Sequence, residues 1–387
     1  MSGFRAIYLH VPYCVRKCAY CDFLSSPCPH GSPELAAYAQ TLKDKLRLCA
    51  EAGLLDGCET AYIGGGTPTL LSEGLVDIVS YLRIYAPELG ELSCEANPES
   101  LTAELARSLA DAGATRVSIG VQSTDAAELE ALGRIHSAEE ALAAIRSASV
   151  AGLRTSADLM CAIPLQTRAS FERSISEVLD AGATHVSVYP LQIEEDTRFF
   201  ELYGDEDPAW NSGDAQAQMM ELAEKLLVAR GLSRYEVASY AIPGQQCAHN
   251  IAYWTGVPYL GLGPGAASMC NGALYRRLRE LFSDLPDLPE GAVRARIAMS
   301  AEGASAEVEF LEGREAAAED MMLGFRMSEG PSIDTLVRAK EQLGHDRVER
   351  MLASCREDGL IDGDNRPTAR GWLLGNELFG RAWDLAN

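Results

Sequence analysis

A weak internal repeat, ten residues long and altered between its copies, constrains the fold of this chain more than any other feature. Asp111-Ala-Gly-Ala-Thr-Arg-Val-Ser-Ile-Gly120 returns as Asp180-Ala-Gly-Ala-Thr-His-Val-Ser-Val-Tyr189. Ala151-Gly-Leu-Arg-Thr-Ser-Ala-Asp-Leu-Met160 lies between them with the same rhythm, and Arg230-Gly-Leu-Ser-Arg-Tyr-Glu-Val237 continues it. Each time an Ala/Leu/Glu-rich stretch ends at Gly113, Gly152, Gly182 or Gly231, where glycine takes the left-handed conformation that caps a helix. A short β-rich run follows. Ser137 and Glu140 read as a capping box opening the helix before Gly152.

Further strands are expected at Ala6–His10, Thr60–Ile63 and Leu92–Ala96. Strand and helix thus alternate from residue 6 to about 241, which argues for a parallel sheet. Six or seven strands are too few for an eight-stranded barrel, so a partial (β/α)6-type barrel is the expected fold. In such barrels the chemistry gathers at the C-terminal ends of the strands. The unusual residues of this chain fall there: three cysteines after the first strand, Gly64-Gly-Gly-Thr67-Pro68 after the second, Glu95 closing the third, Gln122 ending the fourth and Asp158 in the fifth.

Beyond residue 275 the alternation is expected to stop. Glu315–Arg326 and Ile333–Ser354 read as amphipathic helices, Gly359–Pro367 as a turn or wing, and Gly371–Phe379 as a last helix. The expected organisation is the barrel at 1–240, a closing segment at 241–275 and a small, mainly helical domain at 276–387.

Charge narrows the partners. The chain has 33 Lys+Arg and 56 Asp+Glu among 387 residues, a net charge of −23. Nucleic-acid and anionic-lipid surfaces call for basic patches, so neither is expected as a partner. The apolar runs fall short of the ~18 residues of a membrane span. The first ten residues lack a signal peptide's apolar core, so a cytosolic location is expected.

The eleven cysteines are odd in number, and a cytosolic chain is not stapled by disulfides. Eight of them are scattered, as small core hydrophobes are. Cys14-Val-Arg-Lys-Cys18-Ala-Tyr-Cys21 is different: three thiolates from one short loop can each reach a separate iron of a four-iron cluster, leaving the fourth iron open. Zinc is the rival, with Cys28 or His10 as a fourth ligand, although no second paired set of cysteines exists. A thioredoxin-like pair, Cys18 and Cys21, would leave Cys14 unexplained. The Gly64-Gly-Gly-Thr-Pro run permits close backbone approach to a ligand or simply makes a tight turn. A phosphate loop would want Gly-Lys-Ser/Thr instead.

The cysteine spacing, with Tyr20 before the third cysteine and a strand before the first, resembles the radical S-adenosylmethionine (SAM) superfamily. That resemblance implies a [4Fe-4S] cluster whose fourth iron is chelated by the amino and carboxylate groups of SAM. It also implies that an electron from the cluster can cleave SAM to a 5′-deoxyadenosyl radical. Ile7-Tyr-Leu-His-Val-Pro-Tyr-Cys14, Gly120-Val-Gln122 with Arg134, and Tyr189-Pro-Leu-Gln-Ile-Glu194 with Thr197 narrow it to the HemN/HemW family, over essentially the whole chain. The SAM contacts this implies are Tyr8, Tyr20, Gly65, Gly66, Thr67, Glu95, Gln122, Arg134 and Asp158. From the residues alone, Gln122, Arg134 and Asp158 also suit a buried polar network at a barrel mouth.

Within that family, HemN resembles C-x3-C-x2-C-x-C and has a long extension before the cluster. Here Phe23 stands at the fourth cysteine's position and the first cysteine is residue 14, which resembles the haem-chaperone branch. His249-Asn250-Ile-Ala-Tyr253-Trp254 matches the H-N-x-x-Y-W motif associated with haem in that branch. A neutral imidazole can ligate haem iron, with Cys247 a weaker candidate, and Tyr253 and Trp254 can pack on a porphyrin. A structural loop with a capped histidine is the bland alternative. Two departures stand out: Ala162 replaces the glycine of D-L-x-x-G-x-P, and Ala267 stands where many relatives carry histidine. The resemblance implies a haem chaperone serving a respiratory haem protein. The alternatives are an oxygen-independent coproporphyrinogen III dehydrogenase, another porphyrin-acting radical SAM enzyme, or a [4Fe-4S] protein with a different substrate.

Overall fold

The alternation seen in the sequence becomes six parallel strands in the computed structural model, which describes residues 3–204 and 208–387. They are β1 (Ala6–Val11), β2 (Thr60–Gly65), β3 (Glu91–Ala96), β4 (Arg116–Gln122), β5 (Arg154–Cys161) and β6 (His185–Pro190), each paired with the next in parallel. Helices α1 (Pro33–Glu51), α2 (Glu73–Tyr85), α3 (Ala103–Ala112), α4 (Ala126–Leu132), α5 (Ala138–Val150), α6 (Arg168–Asp180), α7 (Arg198–Tyr203) and α8 (Gly213–Ala229) make or follow the crossovers. Both predicted start and stop signals are in place. Ser137 and Glu140 form the reciprocal capping box of α5, and Gly113 ends α3 in the left-handed conformation, φ 108°.

Each strand has two different faces. Ile7, Leu9, Ala61, Ile63, Leu92, Cys94, Val117, Ile119, Ala157, Leu159, Val186 and Val188 belong to the main apolar core. The alternate positions (Tyr8, Tyr62, Glu95, Arg116, Ser118, Ser156, Asp158, His185 and Ser187) line a cavity instead. Because side chains alternate along a strand, one face packs the helices while the other is polar and surrounds a partial barrel's interior.

The fourth copy of the repeat ends differently from the sequence expectation. β7 (Ser233–Arg234) follows Gly231, but β8 (Ser239–Ala241) turns back after four residues and pairs antiparallel with both β7 and β6. A parallel return needs a crossover of about a dozen residues or more, so the parallel series stops at β6 on this side. On the other side, β9 (Tyr259–Leu262) is parallel to β1, and β10 (Ala267–Asn271), β11 (Arg294–Met299) and β12 (Ala306–Leu311) continue antiparallel. Among the described residues the sheet order is β12-β11-β10-β9-β1-β2-β3-β4-β5-β6-β8-β7. β11 and β12 correct the expectation that alternation stops at 275. Their charged face, with Arg296 to Glu309 at 2.9 Å, disguises the period-two pattern of Ala295, Ile297, Val308 and Phe310.

Between β8 and β9 lies α9 (Ala248–Trp254), and α10 (Gly272–Leu281) joins β10 to β11. A second core belongs to α11 (Gly313–Gly324), α12 (Ile333–Leu343), α13 (His345–Glu357), α14 (Ala369–Leu373) and α15 (Gly375–Trp383), where Met321, Phe325, Leu343, Val348, Leu352, Leu378 and Phe379 are buried together. The single helix expected over 333–354 is broken at Gly344, φ 95°, and the expected last helix is two short ones. Among the described residues no helix is long and apolar enough to cross a membrane.

Ala162, just past β5, is buried with φ 53°. That explains why a glycine suits the position. A non-glycine residue in the left-handed region costs about 1–2 kcal/mol, while glycine adds about 0.4–1 kcal/mol of unfolded-chain entropy. Ala162→Gly is therefore expected to stabilise the fold by about 1 kcal/mol in a urea titration.

Candidate functional site

The three clustered cysteines sit in the loop after β1. Its base is pinned by a two-residue parallel pairing of Tyr13–Cys14 with Ser26–Pro27, and by Cys28 N–H donating to Cys14 O at 2.7 Å. Cys14, Cys18 and Cys21 all face one cavity of about 430 Å³. Thr67 Oγ1 donates to Cys14 Sγ at 3.3 Å and Arg134 Nη1 to Cys18 Sγ at 3.4 Å. Burial pushes the Cys14 thiol up and the Cys21 thiol up to about 11, so both are thiols until a metal draws the proton off.

Among the described residues, no three His, Cys, Asp or Glu side chains are arranged around a single ion. His10 is not available as a fourth zinc ligand. Its Nδ1 faces Tyr8 Oη at 3.0 Å and its Nε2 faces Leu24 O at 2.9 Å, so both ring nitrogens are engaged. Three thiols around one cavity, with a cation and a hydroxyl donor behind them, fit an iron–sulfur cluster's anionic core.

The same cavity brings together Tyr20, Gly65, Gly66, Glu95, Gln122, Arg134 and Asp158 with the cysteines. The glycine run is needed as glycine. A Cβ on Gly66 would lie 2.5 Å from Tyr13 O, and Gly65 has φ 113°. Gly65 N–H and Tyr62 Oη each donate to the Glu95 carboxylate at 2.9 Å. Burial raises Glu95 to about 7 despite these donors, and the nearby Asp158 adds to the shift. Asp158 itself is raised to about 6, again by burial, although Ser118 Oγ lies 3.0 Å away. Two desolvated carboxylates around one cavity are the arrangement an ammonium or sulfonium ligand relieves.

Arg134 is the opposite pole. Its Nη2 donates to Asn97 Oδ1 at 2.9 Å and Gly120 O at 2.7 Å, while Nε is buried without a partner. Gln122 sits at a register shift of β4 with φ 65°, which turns its side chain into the cavity. Two expected contacts lie elsewhere. Thr67 is 1% exposed and acts through Cys14 and Asn97, and Tyr8 lines a second cavity.

That second cavity, about 690 Å³, reaches from Glu95 and Asp158 down to the N-terminal ends of the strands and out to the C-terminal helices. His249, Asn250, Tyr253 and Trp254 all line it. His249 is 2% exposed; its Nδ1 is 3.0 Å from Thr60 Oγ1, and its Nε2 is buried with no partner among the described residues. Tyr62 stacks on the imidazole at 5.2 Å between ring centroids, and Tyr253 meets it edge-on at 5.1 Å. Burial lowers His249 to about 4, so the ring is neutral at pH 7 and carries a lone pair. Cys247 is engaged by Glu91 and Asn250, and burial pushes its thiol up to about 12. Ala267 is exposed on β10 and does not line this cavity.

Sequence reasoning missed four participants. Tyr62 touches both Glu95 and His249 and so stands between the two cavities. Asn97 links Thr67 to Arg134. Glu91 and Arg116 begin β3 and β4 and meet beneath the barrel at 3.4 Å. For Tyr62, Glu91 and Arg116 the signal was the polar half of a strand's alternation, which in an antiparallel sheet would face solvent; Asn97 lies just past β3 and had no such signal.

Residues 8–178 match the model of the Radical SAM superfamily. The heme chaperone HemW of Bacillus subtilis is 31% identical over 97% of this chain and 98% of that protein. The chain belongs to the HemN/HemW family. HemW of Mycobacterium tuberculosis is 33% identical over 96% of this chain and 93% of the relative. Among solved structures, the Escherichia coli coproporphyrinogen III oxidase HemN, described as a radical SAM enzyme, superimposes with a TM-score of 0.75 at 18% identity, covering 98% of this chain and 90% of HemN. The HemN fold therefore extends through the helical C-terminal part, and the radical SAM barrel of this family member is the partial barrel described above.

Proposed function

We propose that this chain is a haem chaperone. It holds a [4Fe-4S] cluster through Cys14, Cys18 and Cys21, binds SAM beside it, and carries haem on His249 for delivery to a respiratory haem protein. The observation that carries the reading is the buried, neutral His249 whose Nε2 has no partner and borders a large aromatic cavity. Thr60 fixes the other ring nitrogen, as the outer partner of a metal-bound histidine does. The relatives named HemW support the same reading. The cluster, when bound, supplies an open iron and an electron. The chain's own contribution is three thiols in one loop, Arg134 against Cys18, and the Glu95 carboxylate for the SAM amino group. Phe23, at the fourth cysteine's position in HemN, is 64% exposed and offers no ligand. The charge of −23 favours an acceptor with a basic docking face.

The test supplies the reconstituted protein separately with haem and with coproporphyrinogen III, SAM and reductant. One haem bound per chain and no protoporphyrinogen formed is expected. Turnover of coproporphyrinogen without haem binding would overturn the proposal.

The carboxylates give SAM binding a pH signature. Glu95 in the ligand-free protein takes up a proton below about pH 7, whereas accepting a hydrogen bond from the bound SAM amino group needs it ionised. SAM affinity is expected to fall toward tenfold per pH unit below about 7. Equilibrium dialysis from pH 5.5 to 9 checks this, and a flat profile would exclude Glu95 as the partner of the SAM amino group.

A further inference from the structure

The cavity that holds His249 contains a cation that, among the described residues, enters no ion pair. Three arginines line it. Arg116 is paired with Glu91, and Arg234 with Glu224 at 2.9 Å. Arg326 differs. Among the described residues it enters no ion pair, and its Nε, like that of Arg234, is buried without a hydrogen-bond partner. Its guanidinium is held between two aromatic faces, 5.0 Å from the Trp254 ring centroid and 4.7 Å from that of Phe379. Glu236, the carboxylate that bears on Arg326 electrostatically, is turned elsewhere: it accepts from Trp254 Nε1 at 3.0 Å and from Ala238 N–H at 3.3 Å. Burial lowers Arg326 from its ordinary value, which reflects the cost of leaving this charge unpaired.

A desolvated cation is tolerated where aromatic faces partly compensate it and an anion completes it on binding. Arginine suits that role because its planar fork takes a carboxylate through two parallel hydrogen bonds. The position is informative. Trp254 is the last residue of α9 and His249 the second, a rise of about 7.5 Å along the helix. That is the scale separating the metal of a tetrapyrrole from the carboxylates at its rim. Arg326 enters from the C-terminal core, immediately after α11, and reaches the cavity across Trp254.

We propose that Arg326 is the anion-binding residue of this cavity and takes a peripheral carboxylate of a metallotetrapyrrole whose metal meets His249. The proposal rests on the haem reading of that cavity and adds which end of the ligand enters the C-terminal side. The Trp of the H-N-x-x-Y-W motif then serves two purposes, as the platform that holds the arginine and as a wall of the pocket.

The test compares iron(III) protoporphyrin IX with its dimethyl ester, which keeps ring and metal and lacks the charges. Wild type, Arg326→Met and Arg326→Lys are titrated optically with both. Wild type is expected to favour the diacid by about tenfold or more, the value of one charge-assisted contact. Arg326→Met is expected to bind the two forms nearly alike, with the Soret position unchanged because His249 still ligates. Arg326→Lys should recover part of the preference. The preference is a ratio within each variant, so a change in overall stability cancels. Wild type binding both forms equally, or Arg326→Met keeping the wild-type ratio, would overturn the proposal while leaving haem binding intact. A wild-type protein that binds neither form would overturn the haem reading itself, and this inference with it.

Discussion

Cys18→Ala leaves the reconstituted protein without its iron–sulfur chromophore. Each of the three thiolates is expected to hold a different iron, and nothing nearby replaces a lost one: Cys28 is buried outside the cavity, and both nitrogens of His10 are engaged. Iron and acid-labile sulfide are therefore expected to fall from about four per chain to below one. The folded structure should survive, because Cys18 is only half-buried and, among the described residues, its thiol is hydrogen-bonded by Arg134 alone. Cys49→Ala is the matched control. Cys49 is a buried core residue of α1, so its replacement lowers stability and leaves the iron content alone. Full iron in Cys18→Ala would return a different ligand set to contention.

Glu91→Ala produces the largest loss of stability expected from a single polar change. Glu91 and Arg116 are 2% and 1% exposed. One Glu91 oxygen meets Arg116 at 3.4 Å and Arg154 at 2.9 Å, and the other accepts from His249 N–H at 3.0 Å. That last bond matters because α9 has no side-chain cap of its own at Cys247. A carboxylate from β3 therefore caps the helix that carries the haem motif. Burial pushes the Glu91 carboxyl up, but Arg116, the α9 backbone amides and Arg154 outweigh it and hold it below the ordinary value.

Removing one partner of a buried pair costs about 3–5 kcal/mol, because the other charge stays behind unpaired. The urea midpoint of Glu91→Ala should fall accordingly, and haem affinity should fall with it as α9 loosens. Because the folded pKa is depressed, this contribution is present above the unfolded pKa of about 4.3 and is lost as pH falls through the folded one. The wild-type and Glu91→Ala stabilities should converge in acid. Equal stabilities at pH 7 would show that the cluster of charges is structurally idle.

The parallel strands were legible because helix caps at Gly113 and Gly152 punctuate a repeated strand pattern. The cysteine loop was legible because it concentrates three chemically distinctive side chains in eight residues. The surroundings of the Thr67 side chain were not: it sits behind Cys14 and meets Asn97, a placement of a few ångströms that no spacing encodes. β11 and β12 were hidden because their charged faces pair Arg294 and Arg296 with Glu309, Glu319 and Asp320, which reads in sequence as a solvated stretch. The three positions that converge on the second cavity (His249, Arg116 and Arg326) come from a helix, a strand start and the C-terminal core. Their meeting is a product of tertiary packing alone.

Whether His249 binds haem iron is the central question, and an optical haem titration of His249→Ala beside wild type tests it most directly. One site per chain is predicted in wild type, with the Soret band of a histidine-ligated iron. In His249→Ala that band is predicted to be lost and the affinity to fall by at least the roughly 10–100-fold that removing only a ligand's outer partner costs. An unchanged Soret band and affinity in His249→Ala would contradict haem ligation by this residue.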